Sequence, residues 1–252
     1  MKTIKFFAVA ALLAISSGAY AQFTNTQSNA SVSSASSSSE GWSTFFVQYN
    51  PSKAVIDVSG AEDLSFNGLT VGYSKAFAIA PGTPAYLEAG LAVQYSFATW
   101  NWKDDLKWYS ITGADPDEKF TMFSAKVPVS LTYVIDLPNS SISLAPFAGV
   151  DFRLNAFGSM KTEKNVKSGY NEPDDDAWEN QFGIKVKKDL FDKKDMGDED
   201  ATFKRFQLGW HIGVNAYFNK QYFIGVSYGS DFSEIRKKTK VNTTSITLGM
   251  CF

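Results

Sequence analysis

The sequence contains one cysteine, Cys251, and one histidine, His211. A single cysteine excludes an internal disulfide, and a single histidine leaves few enzyme classes that depend on an imidazole. The formal net charge is −2, so the chain lacks the basic excess of nucleic-acid-binding proteins. Beyond the N-terminus, no uninterrupted apolar run reaches the roughly 18 residues that a membrane-spanning helix needs. A role within a membrane would therefore have to use strands.

Aromatic residues make up 15% of the chain, and Gly and Ser are abundant. This composition favours short strands joined by tight turns over helices. Nothing within the strand-rich part resembles a domain boundary, so we expect one folded domain at residues 41–252.

The first 40 residues have a different character. Two lysines, an apolar core at residues 6–15 and a small-x-small site that ends at Ala21 predict a secretory signal peptide over residues 1–21. Residues 22–40 are nearly all Ser, Asn, Gln, Thr and Ala, with too few apolar groups to offset the entropy of ordering them. We expect cleavage after Ala21 and a disordered linker at residues 22–40.

The clearest pattern in the sequence lies at residues 123–155. Apolar and small or polar residues alternate there with a period of two on both sides of a turn-forming segment, residues 136–141, which predicts a β-hairpin. Symmetric pairing about that segment places Ile135 opposite Ile142. It also places Lys126 opposite Asp151, so two opposite charges meet on the polar face.

The same alternation recurs in six further segments, so we predict eight strands. The connections between them alternate in length. The short connections are residues 78–86, 136–141 and 219–221, and the longer ones are residues 50–65, 98–119, 156–202 and 230–240. This asymmetry is typical of an up-and-down barrel that crosses a membrane with its short turns on the periplasmic side.

Alternation alone does not show which face is wet, because a soluble lipocalin-like barrel has the same period. The polar phase here consists mainly of Gly, Ala, Ser, Thr and Gln, which fit a narrow interior, whereas a solvent face would carry more Lys and Glu. We therefore predict an all-β fold, an eight-stranded antiparallel up-and-down transmembrane β-barrel. Pro128 and Pro146 fall inside predicted strands and should each cause a bulge or a broken ladder.

Several runs that carry the alternation resemble a known group of proteins. These runs are AKVPVSLTYVIDLP, SISLAPFAGVDFRLNAFG, QLGWHIGVNAYF, YFIGVSYGSDF and the terminal SITLGMCF. With the signal peptide, they resemble the outer-membrane β-barrel domain family, the small porin-like barrels of the OmpX and OmpW type from Gram-negative bacteria. The resemblance implies an outer-membrane location and a role for Phe252 in the signal that the barrel-insertion machinery reads. It implies no single activity.

The ionisable residues on the predicted inward face are Glu88, Lys126, Asp151, Arg153 and His211. Charges in a low-dielectric lumen must be paired, so we expect a network of ion pairs and hydrogen bonds that plugs the barrel. An eight-stranded interior is normally filled by side chains, which disfavours conduction.

No catalytic, cofactor or metal site is predicted. Lipid A deacylases and palmitoyltransferases are eight-stranded barrels that need a histidine near a hydroxyl or an acid, but no His-x-Ser arrangement surrounds His211, and its phase points away from lipid. The acidic clusters at residues 115–118, 174–176 and 198–200 lack the spacing of an EF-hand calcium loop. Bridging by divalent ions to lipopolysaccharide phosphates is a weaker alternative for them.

The sequence thus predicts a monomeric, non-enzymatic envelope protein in the outer membrane of a Gram-negative bacterium. Its expected partners are outer-membrane lipid and lipopolysaccharide, the barrel-insertion machinery and an extracellular ligand bound by the loop at residues 156–202, with no nucleic acid. Two alternatives stay open. One is a narrow channel for small or apolar solutes, and the other is an enzyme that modifies envelope lipid.

Overall fold

The computed structural model describes residues 41–58, 62–101, 116–166, 168–169, 171–172, 174–183 and 185–252. The signal peptide and the linker predicted for residues 1–40 lie outside the described residues. So do residues 102–115, the middle of one predicted connection.

The described chain consists of eleven β-strands and two short α-helices. The strands are β1 Ser43–Tyr49, β2 Ser52–Ile56, β3 Leu64–Ala78, β4 Ala85–Asn101, β5 Asp117–Tyr133, β6 Ile135–Asp136, β7 Ile142–Glu163, β8 Lys187–Asp189, β9 Phe206–Phe218, β10 Tyr222–Asp231 and β11 Thr239–Cys251. The helices are α1 Asp175–Phe182 and α2 Lys193–Met196. None of the helices in the described ranges has the length and apolar character needed to cross a membrane.

The strands close into a ring, because β1 pairs with β3 on one side and with β11 on the other. β2 pairs with the same two neighbours, so β1 and β2 together form one barrel strand that is interrupted at Asn50 and Pro51. The short strands β6 and β8 only extend the pairing of β7. The ring therefore has eight antiparallel members, as predicted, although β2 lies within the predicted connection at residues 50–65.

The two faces of the barrel have opposite chemistry. Large apolar side chains point outward and are 36–59% exposed, among them Leu69, Leu91, Leu131, Ile212 and Leu248. The inward face holds buried small or polar groups, among them Thr70, Ser96, Ser124, Asn155 and Gln207. Such an exterior is unfavourable in water. Contact with acyl chains stabilises it by about 25 cal/mol for each Å² of apolar surface removed from water. The barrel is therefore a transmembrane one.

The predicted pairing of the central hairpin is wrong by two residues. Lys126 lies opposite Arg153, and Ile135 lies opposite Leu144, in each case two residues further along β7 than symmetric pairing places them. Because side chains alternate with a period of two, a shift of two residues leaves every side chain on its predicted face.

The turn between β6 and β7 explains this shift. The Ser140 amide donates to the Leu137 carbonyl at 3.3 Å, and the Leu137 amide donates to the Ile142 carbonyl at 3.1 Å. Between them, Pro138 and Asn139 occupy the central positions, and Asn139 has a φ of 56°. A four-residue turn with proline at its second position and a residue of positive φ at its third is favoured. This local preference moves the hairpin away from symmetric pairing.

The ladders are interrupted at both prolines, as predicted, and neither position carries a bulge in these fully described strands. The β4–β5 ladder lacks two consecutive residue pairs beside Pro128. Opposite Pro146 the chain between β5 and β6 leaves the ladder, and the Val134 amide donates instead to the Pro84 carbonyl at 2.8 Å. The register shift between β5 and β7 lies elsewhere, at residues 123–124.

The connection predicted at residues 156–202 is largely ordered. β7 continues to Glu163, β8 pairs with its outer end, and α1 and α2 follow β7 and β8 respectively. Asp174 caps α1 by accepting from the Ala177 amide at 2.6 Å, and Gly183, with a φ of 68°, ends it. β7 therefore extends past the end of the apolar band. Its outward residues become polar there, so the sequence no longer shows the apolar alternation that marks a strand.

An arginine placed on the outward face should test this orientation. We expect Leu91→Arg, at a side chain that is 47% exposed in the middle of β4, to lower the free energy of unfolding in lipid vesicles by about 2–4 kcal/mol, because the charge enters the acyl region. Val58→Arg, 49% exposed beyond β2, is the matched control and should change it little. Equal effects at the two positions, measured by urea titration of tryptophan fluorescence, would contradict the transmembrane orientation.

Candidate functional site

The middle of the lumen contains a hydrogen-bonded chain of three side chains from three neighbouring strands. Oγ of Ser130 on β5 lies 2.7 Å from Nε2 of His211 on β9. Nδ1 of the same ring lies 2.9 Å from Oδ2 of Asp151 on β7. A carboxylate can only accept, so Nδ1 of His211 carries a proton and donates it to Asp151. In the neutral imidazole, Nε2 then accepts from the serine hydroxyl.

Gly149 makes this chain sterically feasible. It lies on β7 directly between Ser130 on one side and His211 on the other. A Cβ at this position would come within 2.8 Å of His211 Nε2 and 2.1 Å of the Val129 carbonyl oxygen. The absence of a side chain lets Ser130 and His211 meet across the strand that separates them.

Two basic side chains flank the chain, and each has an acidic partner. Lys126 Nζ lies 3.4 Å from Oδ2 of Asp151. Arg153 forms an ion pair with Asp231 and donates to Gln207 Oε1 at 2.6 Å. Lys126 and Arg153 lie directly opposite each other in the sheet, where like charges repel, so the pairing with acids offsets that cost.

Glu88 on β4 lies directly opposite Ser130 in the sheet, on the same lumen wall. Its Oε1 accepts from the Ser74 hydroxyl at 2.5 Å, on the neighbouring strand β3. The structure brings Lys126, Asp151 and His211 together, while Arg153 pairs with Asp231 and Glu88 is held by a hydroxyl and lines the same cavity.

That cavity, of about 110 Å³, lies along the barrel axis beside these groups. Its wall includes Ser130, Asp151, Arg153 and His211. Asp151 Oδ1 and Arg153 Nε are buried and have no protein hydrogen-bond partner among the described residues. A volume of this size holds several water molecules, and a free acceptor and a free donor on its wall suit a polar occupant.

An apolar layer lies towards each end of the described barrel, and both layers border the cavity. At the short-turn end the layer consists of inward-facing side chains, Phe46, Ala92, Ala145, Tyr217, Phe223 and Cys251. At the long-connection end it consists of Phe66, Phe120, Met122, Leu190, Ile235 and Val241. Leu190 and Ile235 come from the connections themselves, so the outer connections fold down onto the barrel mouth.

We call the described residues between 158 and 205 the outer layer. It is tied together mainly by charged groups, with Lys185 Nζ 2.7 Å from Asp195 Oδ1 and the Asp189 amide 2.9 Å from Asp195 Oδ2. The Arg205 guanidinium lies 4.3 Å from the centre of the Phe191 ring. The hydrogen bond from Lys185, followed by that from the Asp189 amide, holds the pKa of Asp195 below its usual range. The layer thus presents an ordered charged surface beyond the apolar band.

Sequence reasoning missed several residues of the lumen, among them Asp231 and Phe147, and it missed the partner of Ser130. Asp231 continues the inward phase of Gly225, Ser227 and Gly229 by one step, so a longer reading of that strand would have found it. Phe147 is inward-facing and its ring centre lies 5.8 Å from that of His211. Ser130 lies on the polar phase of β5, but nothing local links it to His211, 81 residues away.

Phe252, the predicted insertion signal, lies beside β1 at the short-turn end. Its amide and carbonyl exchange hydrogen bonds of 2.9 Å with Ser43, and its side chain is 43% exposed. Its role in insertion stays a prediction. In the described part of the chain, no group of three or more His, Cys, Asp or Glu side chains is arranged to hold a metal ion.

No protein-family model and no curated protein matches the sequence. Solved structures do match in fold. Ail of Yersinia pestis, solved in complex with the heparin analogue sucrose octasulfate, is 14% identical with a TM-score of 0.43, over 84% of this chain and 99% of its own. Neisserial surface protein A is 13% identical with a TM-score of 0.42, over 83% and 97%.

The outer membrane enzyme PagL also matches, at 11% identity and a TM-score of 0.35, over 80% of this chain and 97% of its own. At such identities the likeness concerns the fold alone.

Removing one partner of the innermost ion pair should cost far more than removing an exposed pair. Arg153→Met leaves Asp231 charged at 9% exposure and is expected to lower the free energy of unfolding by about 3–5 kcal/mol. Adding Asp231→Leu should recover much of that loss, because no uncompensated charge remains. Lys220→Met, at an exposed pair with Asp136, is the control and should cost under about 1 kcal/mol. Additive losses in the double variant would contradict the pairing.

Proposed function

We propose that this protein resides in the outer membrane of a Gram-negative bacterium and acts there at the cell surface, through its outer layer. The observation that supports this most directly is the position of the ordered polypeptide. Residues of the outer layer form strands, helices and ion pairs beyond the apolar band, and Leu190, fully buried, anchors them on the barrel mouth. An ordered charged surface can bind a partner without first paying the entropy of ordering a loop.

The proposal favours surface contact over conduction because of the two apolar layers. A solute crossing the barrel would have to displace Phe46, Tyr217 and Phe223 at one end and Phe66, Phe120 and Leu190 at the other. Between them the charged groups are paired with one another. The surface role itself requires no catalysis.

Lipopolysaccharide is the lipid partner that the barrel exterior fits. Lys119, Lys161 and Lys187 lie directly opposite one another on β5, β7 and β8, on the outward face just beyond the exposed rings of Phe123 and Phe157. A row of like charges is unfavourable by itself, and only Lys119 has an ion-pair partner among the described residues, Glu163 at 2.7 Å. Phosphate groups at the edge of the acyl region would supply the missing counter-charge.

The route to the membrane follows from the same location. We propose that the barrel-insertion machinery receives the secreted chain and that Phe252 is part of the signal it reads. The closed ring leaves no sheet edge for pairing with another copy, which supports a monomer.

Replacing the outer layer should separate surface contact from conduction. We expect a variant with residues 165–203 replaced by a short Gly-Ser linker to keep the heat-dependent gel shift of a folded barrel, while cells displaying it lose adhesion and the purified protein carries less lipopolysaccharide. Shortening residues 79–84 at the opposite end is the control and should change neither readout. The intact protein should be silent in planar bilayers, and steady conductance by the intact protein would contradict the surface role.

The outer layer should loosen in acid. The pKa of Asp195 is lowered in the folded state, so this carboxylate stabilises the layer above its unfolded pKa of about 3.9, and that stabilisation is lost as the pH falls through the folded pKa. We expect hydrogen exchange of residues 185–197 to accelerate relative to the barrel strands below about pH 4. Asp195→Asn should remove most of this pH dependence, and an unchanged pH profile in that variant would assign the effect to other carboxylates.

A further inference from the structure

We infer that Ser130 is a base-activated nucleophile and that the lumen cavity is a site for a small ester or similar acyl-type compound. This inference goes beyond the surface role and does not depend on it. Ser130, His211 and Asp151 form the hydroxyl, imidazole and carboxylate chain that activates serine in unrelated folds, where geometry rather than sequence order defines the arrangement.

The distances satisfy both contacts that such activation needs. The hydroxyl-to-imidazole distance of 2.7 Å and the imidazole-to-carboxylate distance of 2.9 Å lie within hydrogen-bond reach without any movement. The side chains of His211 and Asp151 are only 11% and 16% exposed, so water competes little for either contact. Asp151 is held further by Lys126, whose Nζ lies 3.4 Å from its Oδ2.

The reaction that this geometry supports is acyl transfer. His211 Nε2 takes the proton of the Ser130 hydroxyl as Oγ attacks the carbonyl carbon, and the departing alcohol receives that proton as the ester bond breaks. A water molecule then attacks the acyl-serine, with His211 again accepting a proton and returning it to Oγ. The cavity supplies the space beside Ser130 in which the reacting group would lie.

The outer apolar layer borders the cavity. Val241 belongs both to that layer and to the cavity wall. Leu190 belongs to a connection rather than to a barrel strand, so its displacement opens the mouth without breaking the ring. The cavity volume of about 110 Å³ restricts the site to compact compounds.

Methanesulfonyl fluoride is a probe of suitable size and chemistry. Its sulfur–fluorine bond breaks as a sulfur–oxygen bond forms to Oγ, and fluoride and the serine proton leave. We expect the folded barrel in detergent to gain one methanesulfonyl group on Ser130, found by intact mass and peptide mapping. His211→Gln should slow this modification by about a hundredfold or more, Asp151→Asn should slow it as well, and Leu190→Ala should accelerate it.

Ser124→Ala is the matched control, because Ser124 is a buried serine on the same strand as Ser130, donates to Asn155 Oδ1 at 2.8 Å and lies outside the described lining of the cavity. It should leave the modification unchanged, and each variant must show the heat-dependent gel shift of a folded barrel. A rate that His211→Gln does not change would make the chain a purely structural one and overturn the inference. No modification at all would also overturn it. In that case a Ser130→Cys variant separates two explanations. Reaction of this variant with methyl methanethiosulfonate would show that position 130 is reachable but the serine is not activated. No reaction would show that the cavity is closed to solutes.

Discussion

Every backbone amide and carbonyl of a chain within the acyl region must find its partner inside the protein, because no water is there to replace it. The ring closed by β1 between β3 and β11 meets this requirement, since it leaves no strand edge. The same constraint explains the local exceptions. Where Pro146 cannot donate, the neighbouring segment leaves the ladder and the Val134 amide turns to the Pro84 carbonyl, at the short-turn end where the chain approaches water.

Closure around eight strands then determines the interior. The lumen is narrow enough for side chains from opposite walls to meet, so apolar groups fill its ends and the polar groups between them must satisfy one another. Lys126 and Arg153 illustrate the consequence. They are direct neighbours on adjacent strands, where their charges repel. Lys126 pairs with Asp151 and Arg153 pairs with Asp231, which offsets the repulsion. The cavity is the space that these pairs leave unfilled.

The strand pattern was predictable because a barrel wall imposes one local rule, alternate side chains on opposite faces, which each strand obeys by itself. Assignment to the inward face was therefore right for Lys126, Asp151 and His211. Pairing in the central hairpin was wrong because it depends on Pro138 and Asn139 in the turn, where local backbone preference outweighs symmetry. The strands and helices within the predicted connection at residues 156–202 were not predicted, because polar strands outside the membrane carry no apolar alternation.

The sequence by itself determined the period, the number of barrel strands and the face of most side chains in the regular strands, because these depend on neighbours along one strand. Only the tertiary structure decided which side chains meet across strands. Ser130 and His211 are 81 residues apart and touch because Gly149, on the strand between them, has no side chain to keep them apart. Leu190 closes the barrel mouth for a similar reason, since the return path of a long connection places it there. Contacts between distant segments follow from register and closure, which no single strand encodes.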